Sequence, residues 1–341
     1  MALSRIIAQE SAVHALRSSI QREAVAHAYL FTGPQGTGKT TAALAFAAAL
    51  NCNSPTGDGD ACGECLSCLR TQSGNDADIQ LIAPDGNQTK IDQMQEMIKS
   101  LNYAPLYGRY KVLIVEQADT LNASSENCIL KILEEPPAYA VLILLSANPN
   151  SLLPTIRSRC MTVRFRRANP EEIEKALRGC CSLSEDEISV VAAGSQGSIG
   201  RAIRMASDPD FMDERRDVLR AVAEWAEGPS ILSLRLAESL RKMAEPKKND
   251  PDARPRVRRL NDYLDHLLSW YGDLLSLNVR GDDAPVSNVD YTDFLRDMSR
   301  RYTSARLRRS ILRIMDTRHY LEGNITPQLA LENLFLELHP D

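Results

Sequence analysis

Residues Gly33–Thr40 read GPQGTGKT, which fits the pattern G-x-x-x-x-G-K-S/T. Gly33, Gly36 and Gly38 let the backbone approach a ligand closely. Successive N–H groups can then surround phosphate oxygens, with the positive end of the following helix behind them. Lys39 is placed to reach the β- and γ-phosphates of a nucleotide and Thr40 to ligate Mg²⁺, with Thr41 completing the binding set. A nucleotide hydrolase needs two more groups, a carboxylate for the metal and a proton acceptor for the attacking water. After the apolar run Lys111–Val115 (KVLIV), Glu116 stands where the metal carboxylate belongs and Gln117 where the proton acceptor belongs. A neutral amide hydrogen-bonds water but is no base at neutral pH. Loss of a positioned base typically costs ~10²–10⁴ in rate. Binding of nucleotide with poor turnover is therefore expected. Asp119 lies beyond the strand end and reads as a turn or helix-cap carboxylate.

A second chemistry is carried by Cys52, Cys62, Cys65 and Cys68, separated by nine, two and two residues. The tight two-residue steps let one Zn²⁺ collect four thiolates tetrahedrally, and NSPTGDGDA between Cys52 and Cys62 is a polar loop able to close the site. Four protein ligands leave no open position, so the metal would be structural and would hold a loop with little core of its own. Cys128, Cys160, Cys180 and Cys181 have no such spacing and read as small, half-buried residues.

The elements that must position these groups alternate along the first half of the chain. Short apolar runs at Ala28–Thr32, Ile79–Ile82, Val112–Val115 and Val141–Ser146 read as strands. Helical patterns lie at Lys39–Leu50, near Ile91–Leu101 and at Asn122–Glu134. Continuous apolar strands alternating with helices point to an α/β fold with a parallel sheet covered on both faces. After Phe165 the pattern changes: Asn169-Pro170-Glu171-Glu172 is a helix start, Gly194–Gly200 separates short helices, and from Phe211 onward the chain reads as helix. Pro246–Pro255 reads as an exposed loop within that region. The division expected is residues 1–166 for the nucleotide-binding domain with its zinc module, 167–208 for a small helical lid, and 209–341 for a helical C-terminal domain.

Length and composition agree with this and exclude other classes. The chain has 341 residues, enough for two or three domains, with 43% hydrophobic and 25% charged residues. Aromatic content of 5% argues against a base-stacking platform. Forty Lys and Arg against 45 Asp and Glu, a net charge of −5, argue against a chain that grips nucleic acid over a large surface by itself. The N-terminus lacks a signal-peptide core, and no stretch approaches membrane-spanning length, so a cytoplasmic location is expected. Arg241–Arg259 holds eight Lys or Arg against three acidic residues, and Arg296–Arg318 holds eight Arg against two Asp. Such runs could line the path of DNA or face acidic partners, but read first as solvated faces.

Taken together the motifs resemble the bacterial DNA polymerase III clamp-loader subunits of the AAA+ ATPase superfamily. The residues that carry the resemblance are Ala8-Gln9-Glu10, His27–Thr40, the four-cysteine insert, Leu130–Pro137 (LKILEEPP) and Thr155–Cys160 (TIRSRC). It covers the first two domains, and the C-terminal helices match in size and position. The delta prime branch is favoured over gamma/tau. Glu116-Gln117 stands where gamma/tau proteins carry Asp-Glu, and Gly200 stands where they carry the arginine, called sensor 2, that contacts the γ-phosphate. Arg201 is turned about 100° away from that position on a helix. The sequence also ends without a tau-like extension, although its intact phosphate loop departs from many delta prime proteins. The resemblance implies that Arg159 acts as an arginine finger in a neighbouring subunit's ATP site, where such a group can be worth ~10³–10⁵ in rate. It places Ser146 at the sensor 1 position. It implies a heteropentamer with delta and three gamma/tau subunits, joined through a helical collar, that opens the beta sliding clamp and closes it on primed DNA. The alternative is a catalytically active gamma-type ATPase.

Overall fold

The computed structural model describes residues 2–83, 98–101, 103–181, 183–208, 210–245, 256–322 and 326–339. The expected loop at Pro246–Pro255 and most of the expected helix at Ile91–Leu101 lie outside these residues; positions 98–100 are helical. By contacts the chain forms two compact units, one of Met1–Ala176 with Gly197–Arg201 and one of Leu177–Gln196 with Ala202–Asp341.

The first unit is built on five strands, β1 (Ala28–Thr32), β2 (Ile79–Ile82), β3 (Lys111–Val115), β4 (Ala140–Ser146) and β5 (Met161–Arg164). Their order is β2-β3-β4-β1-β5 and every pairing is parallel. β3 and β4 are buried along their whole length, as the unbroken apolar runs require of strands covered on both faces. One face packs Tyr29 and Phe31 of β1 against α1 (Glu10–Gln21) and α2 (Lys39–Leu50). The other packs Leu30, Leu113 and Leu142 against Ile129 and Leu133, which lie in Ala123–Glu134, and Ile156, which lies in Pro154–Arg159. Alanines at 42, 43, 45, 47, 48 and 49 make α2 apolar nearly all round, and that suits a helix sunk between sheet and neighbours. The fifth strand was not among the sequence-read runs. It is an edge strand in which Val163 is buried while Met161, Thr162 and Arg164 are exposed, so it carries no continuous apolar signal.

Beyond the sheet, Pro170–Arg178 begins as read: Glu172 N–H donates to Asn169 Oδ1 at 2.8 Å and Asn169 N–H donates to Glu172 Oε2 at 2.8 Å. Arg166 clamps the same carboxylate at 2.6 and 2.9 Å and, with the Asn169 N–H, draws the Glu172 carboxyl down to about 2.

The second unit is helical. Glu185–Gly194 starts with a reciprocal cap between Ser184 and Glu187. The later helices Phe211–Glu227, Leu232–Met243, Arg256–Arg280, Thr292–Ser299, Ser304–Glu322 and Pro327–Leu338 enclose a core around Trp225, Trp270, Tyr271 and Phe335. Inside it, Trp225 Nε1 donates to Ser233 Oγ (2.9 Å), which in turn donates to the Phe335 carbonyl (3.1 Å). The expected run of helix is interrupted between Arg280 and Thr292, where a loop folds over a buried polar network. Asp273 accepts from the N–H groups of Ser287 and Asn288 at 2.8 Å, and Arg215 donates to Asp290 at 2.7 Å and to Asn288 at 2.9 Å. Among the described residues no helix is long and apolar enough to cross a membrane.

Candidate nucleotide site and metal centre

The carboxyl ends of β1, β3 and β4 converge on one crevice, which is where open parallel sheets place their ligands. β1 runs directly into the Gly33–Thr40 loop, and α2 begins at Lys39. Gly36 and Gly38 have φ values of +73° and +90°, in the left-handed region that a side chain disfavours. The first-turn N–H groups of α2 have no partner within the helix and stand at this loop. Gly36, Gly38, Lys39, Thr40, Thr41 and Glu116 line a common cleft of about 240 Å³, joined by Gln117, Asp119 and Gly200. Thr40 Oγ1 donates to Glu116 Oε1 at 2.6 Å, so the hydroxyl and the carboxylate expected to share a metal ion already meet. Lys39 Nζ donates to the carbonyls of Gly33 (2.6 Å) and Pro34 (2.8 Å). Burial lowers its pKa, and the Asp119 carboxylate beside it works the other way.

Two of the expected ligand-binding residues are not in the cleft lining. Gly33 is the root of the loop: its N–H donates to the Ser146 carbonyl at 3.2 Å, and a Cβ there would come within 2.2 Å of the Phe165 carbonyl oxygen. Ser146 is fully buried, its hydroxyl has no hydrogen-bond partner, and the cleft wall at that strand end is formed by Leu145 and Ala147 instead.

Several residues singled out in the sequence make contacts at the site that no local pattern signals. Gln9 is 2% exposed and its amide pairs with the backbone of Arg166, accepting at 3.0 Å and donating at 2.8 Å, and reaches the Thr37 carbonyl at 3.3 Å. It therefore ties the phosphate loop to the end of β5. Gly200 N–H donates to the Gly36 carbonyl at 2.9 Å, and Ser198 Oγ fills the place a Gly36 side chain would need, 2.0 Å from an ideal Cβ. Asp119, read from sequence as a turn or helix-cap carboxylate, instead accepts from the N–H of Ala147, just past the end of β4, at 3.1 Å, and it lines the cleft. Gln117 takes a left-handed backbone, φ +46°, to start the turn that carries Asp119.

Arg159 lies outside this cleft, as the last residue of Pro154–Arg159. Its side chain is 38% exposed, donates to the Thr155 carbonyl at 3.2 Å and pairs with the more exposed Glu134 at 3.4 Å. Exposed pairs of this kind contribute at most about 1 kcal/mol, so little holds the guanidinium at home. The adjacent Cys160 is buried, and burial pushes its thiol up to about 12.

The four cysteines come together. Their sulfurs all lie within 4.8 Å of one another, with Sγ–Sγ separations of 3.9 Å for Cys52–Cys65, 3.9 Å for Cys62–Cys68 and 3.7 Å for Cys52–Cys68. Tetrahedral ligands at a Zn–S distance of ~2.3 Å stand about 3.8 Å apart, so the cluster fits such an ion. Burial pushes the Cys52 and Cys68 thiols up, whereas at Cys65 burial is outweighed by the backbone N–H groups of Cys68 and Asn53 together with hydrogen bonds from the Cys68 and Cys62 side chains, which bring it down to about 6. Four thiolates this close repel one another, and a dication resolves the conflict. Cys68 is carried by the helix Leu66–Ser73, and Asp60 ties the loop to the N-terminus by accepting from the N–H groups of Leu3 and Ser4 at 2.8 Å.

The sequence profile described as "DNA polymerase III, delta subunit" matches residues 8–169, and that described as "DNA polymerase III, delta subunit, C terminal" matches residues 209–339. A Bacillus subtilis relative, "DNA polymerase III subunit delta'", is 27% identical over 326 residues, covering 95% of this chain and 94% of its own. The Haemophilus influenzae "DNA polymerase III subunit tau/gamma" is 33% identical over 217 residues, 62% of this chain, and the chain spans 31% of that protein's length. A solved Thermotoga maritima "gamma subunit-related protein" aligns over 96% of this chain and 97% of its own at 15% identity, with a TM-score of 0.44. The two profiles cover the sheet unit and the C-terminal helices in turn, and the full-length relative spans both; the chain belongs to the delta and delta prime family of DNA polymerase III clamp-loader subunits.

Proposed function

We propose that this subunit binds a nucleotide at Gly33–Thr40, hydrolyses it poorly, and supplies Arg159 to the ATP site of a neighbouring gamma/tau subunit. The observation that carries the reading is the Thr40–Glu116 hydrogen bond, set beside an amide at Gln117 where a base is needed. The parts that hold phosphate and metal are assembled, and the part that would deprotonate water is replaced by a group that cannot. Arg159 points the same way: it is exposed, lightly tethered and outside its own cleft, as a residue that serves another chain must be.

In this reading the subunit joins delta and gamma/tau subunits in a cytoplasmic heteropentamer that loads the beta clamp on primed DNA. Cys52, Cys62, Cys65 and Cys68 hold a structural Zn²⁺. Residues 1–166 form the nucleotide-binding domain, 167–208 the lid and 209–341 the collar. Equilibrium binding of a labelled ATP analogue to the purified chain, followed by a hydrolysis assay, tests it. Binding lost in Lys39→Ala together with negligible turnover is expected; absence of any Lys39-dependent binding would refute it. The rival, an active gamma-type ATPase, draws on Asp119, the carboxylate in the cleft that is not bonded to Thr40. Brisk turnover by the isolated chain, abolished by Asp119→Asn, would favour that rival.

A further inference from the structure

We infer that the cleft prefers a nucleoside diphosphate to a triphosphate, an inference that rests on the nucleotide-binding reading above. The backbone N–H groups of the phosphate loop and the first turn of α2 are carried by Gly36, Gly38 and Lys39, where the first two phosphates of a nucleotide are cradled. A third phosphate extends from there toward the ends of β3 and β4, and adds about one to two negative charges at neutral pH. What it meets is set by the lining of that end of the cleft.

Among the described residues that line the cleft, Lys39 is the one cation, and Glu116 and Asp119 are carboxylates. Lys39 already serves the inner part of the site, next to the carbonyls of Gly33 and Pro34. Glu116 is engaged with Thr40 at the metal position. Asp119 is held toward the cleft by the Ala147 N–H, close enough to Lys39 to influence its ionisation. The remaining groups at the outer end add no positive charge. Gln117 is a neutral amide, Gly200 has no side chain and gives its N–H to Gly36, and the Ser146 hydroxyl is buried and does not line the cleft. A Mg²⁺ ion held at Thr40 and Glu116 would serve either nucleotide; apart from it, the protein meets a terminal phosphate with one shared lysine and opposes it with Asp119, whereas a diphosphate keeps the loop N–H groups and Lys39 without adding that terminal charge.

The test is titration of the purified full chain, in excess Mg²⁺, with ADP and with the non-hydrolysable analogue adenosine 5′-(β,γ-imido)triphosphate. A preference for ADP of about tenfold, or about 1.4 kcal/mol, is expected. Asp119→Asn should narrow that preference several-fold by improving triphosphate binding, and Lys39→Ala should abolish both. Equal or tighter binding of the triphosphate analogue, or a preference unchanged in Asp119→Asn, would overturn the inference and leave the nucleotide-binding reading standing. Failure of both ligands to bind would overturn that reading and the inference with it.

Discussion

Replacing Asp60 by Asn should uncouple the cysteine loop from the N-terminal segment. The Asp60 carboxylate is buried and accepts hydrogen bonds from the N–H groups of Leu3, Ser4 and Ala61, each at 2.8 Å, and from Arg17 Nη2 at 2.7 Å. Oδ1 serves Leu3 and Ala61, and Oδ2 serves Ser4 and Arg17. An amide that keeps its oxygen on the first pair turns an NH₂ toward the second pair, where two donors then face a donor. Hydrogen bonds to charged groups contribute about 1.5–3 kcal/mol each. Ser4 is exposed and Arg17 also pairs with Asp58 at 3.0 Å, so part of that loss is recovered. A loss of about 2–4 kcal/mol at pH 7 is the result. The loss also depends on pH. Burial acts to raise the Asp60 pKa, but Arg17 and the three N–H groups together bring it below its ordinary value. A group with a depressed folded-state pKa stabilises above its unfolded value, ~3.9, and that contribution disappears as the pH falls through the folded value. Urea unfolding of wild type and Asp60→Asn should therefore differ at pH 7, and the difference should shrink as the pH falls below the unfolded value toward the depressed folded one. Exchange protection of the Leu3 and Ser4 amides should fall in the variant. A difference under about 0.5 kcal/mol at pH 7, or one that persists undiminished at pH 2, would refute the reasoning.

Three other outcomes follow from the geometry. Elemental analysis of the purified chain should give one zinc per polypeptide; stripping it with a strong chelator, or changing Cys68 to Ser, should expose the helix Leu66–Ser73 to proteolysis, and a metal-free chain with the same protection would contradict this. Gly33→Ala should lower stability by about 1–3 kcal/mol and weaken nucleotide binding, because the obstruction at 2.2 Å is a backbone carbonyl that cannot swing aside; an unchanged melting curve would count against it. Arg215→Ala should cost about 1–3 kcal/mol in the helical unit by removing the buried guanidinium that serves Asn288 and the exposed Asp290, measured by chemical denaturation, and a cost below about 0.5 kcal/mol would show that the network is dispensable.

Much of the sheet unit was legible because its signals are local. The run Ala28–Thr32 is a strand with those bounds, and Val112–Val115 and Val141–Ser146 each gain one residue at the start, since buried parallel strands must be apolar throughout. The cysteine spacing fixed a cluster for the same reason: two-residue steps bring thiols together whatever surrounds them. The misses are long-range or weakly apolar. β5 is a half-exposed edge strand, so periodicity could not find it. The contacts of Gln9 with Arg166 and of Gly200 with Gly36 join residues more than 150 apart, and those of Asp60 with Leu3 and Ser4 span 56 or 57 positions. No local pattern encodes such partners. Ser146 shows the opposite limit: its place at a strand end was read from sequence, but whether its hydroxyl reaches the cleft depends on which face it takes, and it is buried and does not line the cleft.

The central claim, that this chain completes a catalytic centre on another subunit, is tested most directly by one rate. The complex would be reconstituted with delta and gamma/tau subunits, beta clamp and primed DNA, with the phosphate-loop lysine removed from every gamma/tau site except the one beside this chain. Single-turnover ATP hydrolysis would then be compared for wild type and Arg159→Ala. A fall of ~10³ or more, with assembly intact, is the expected result for an arginine acting in trans. An unchanged rate would contradict the claim.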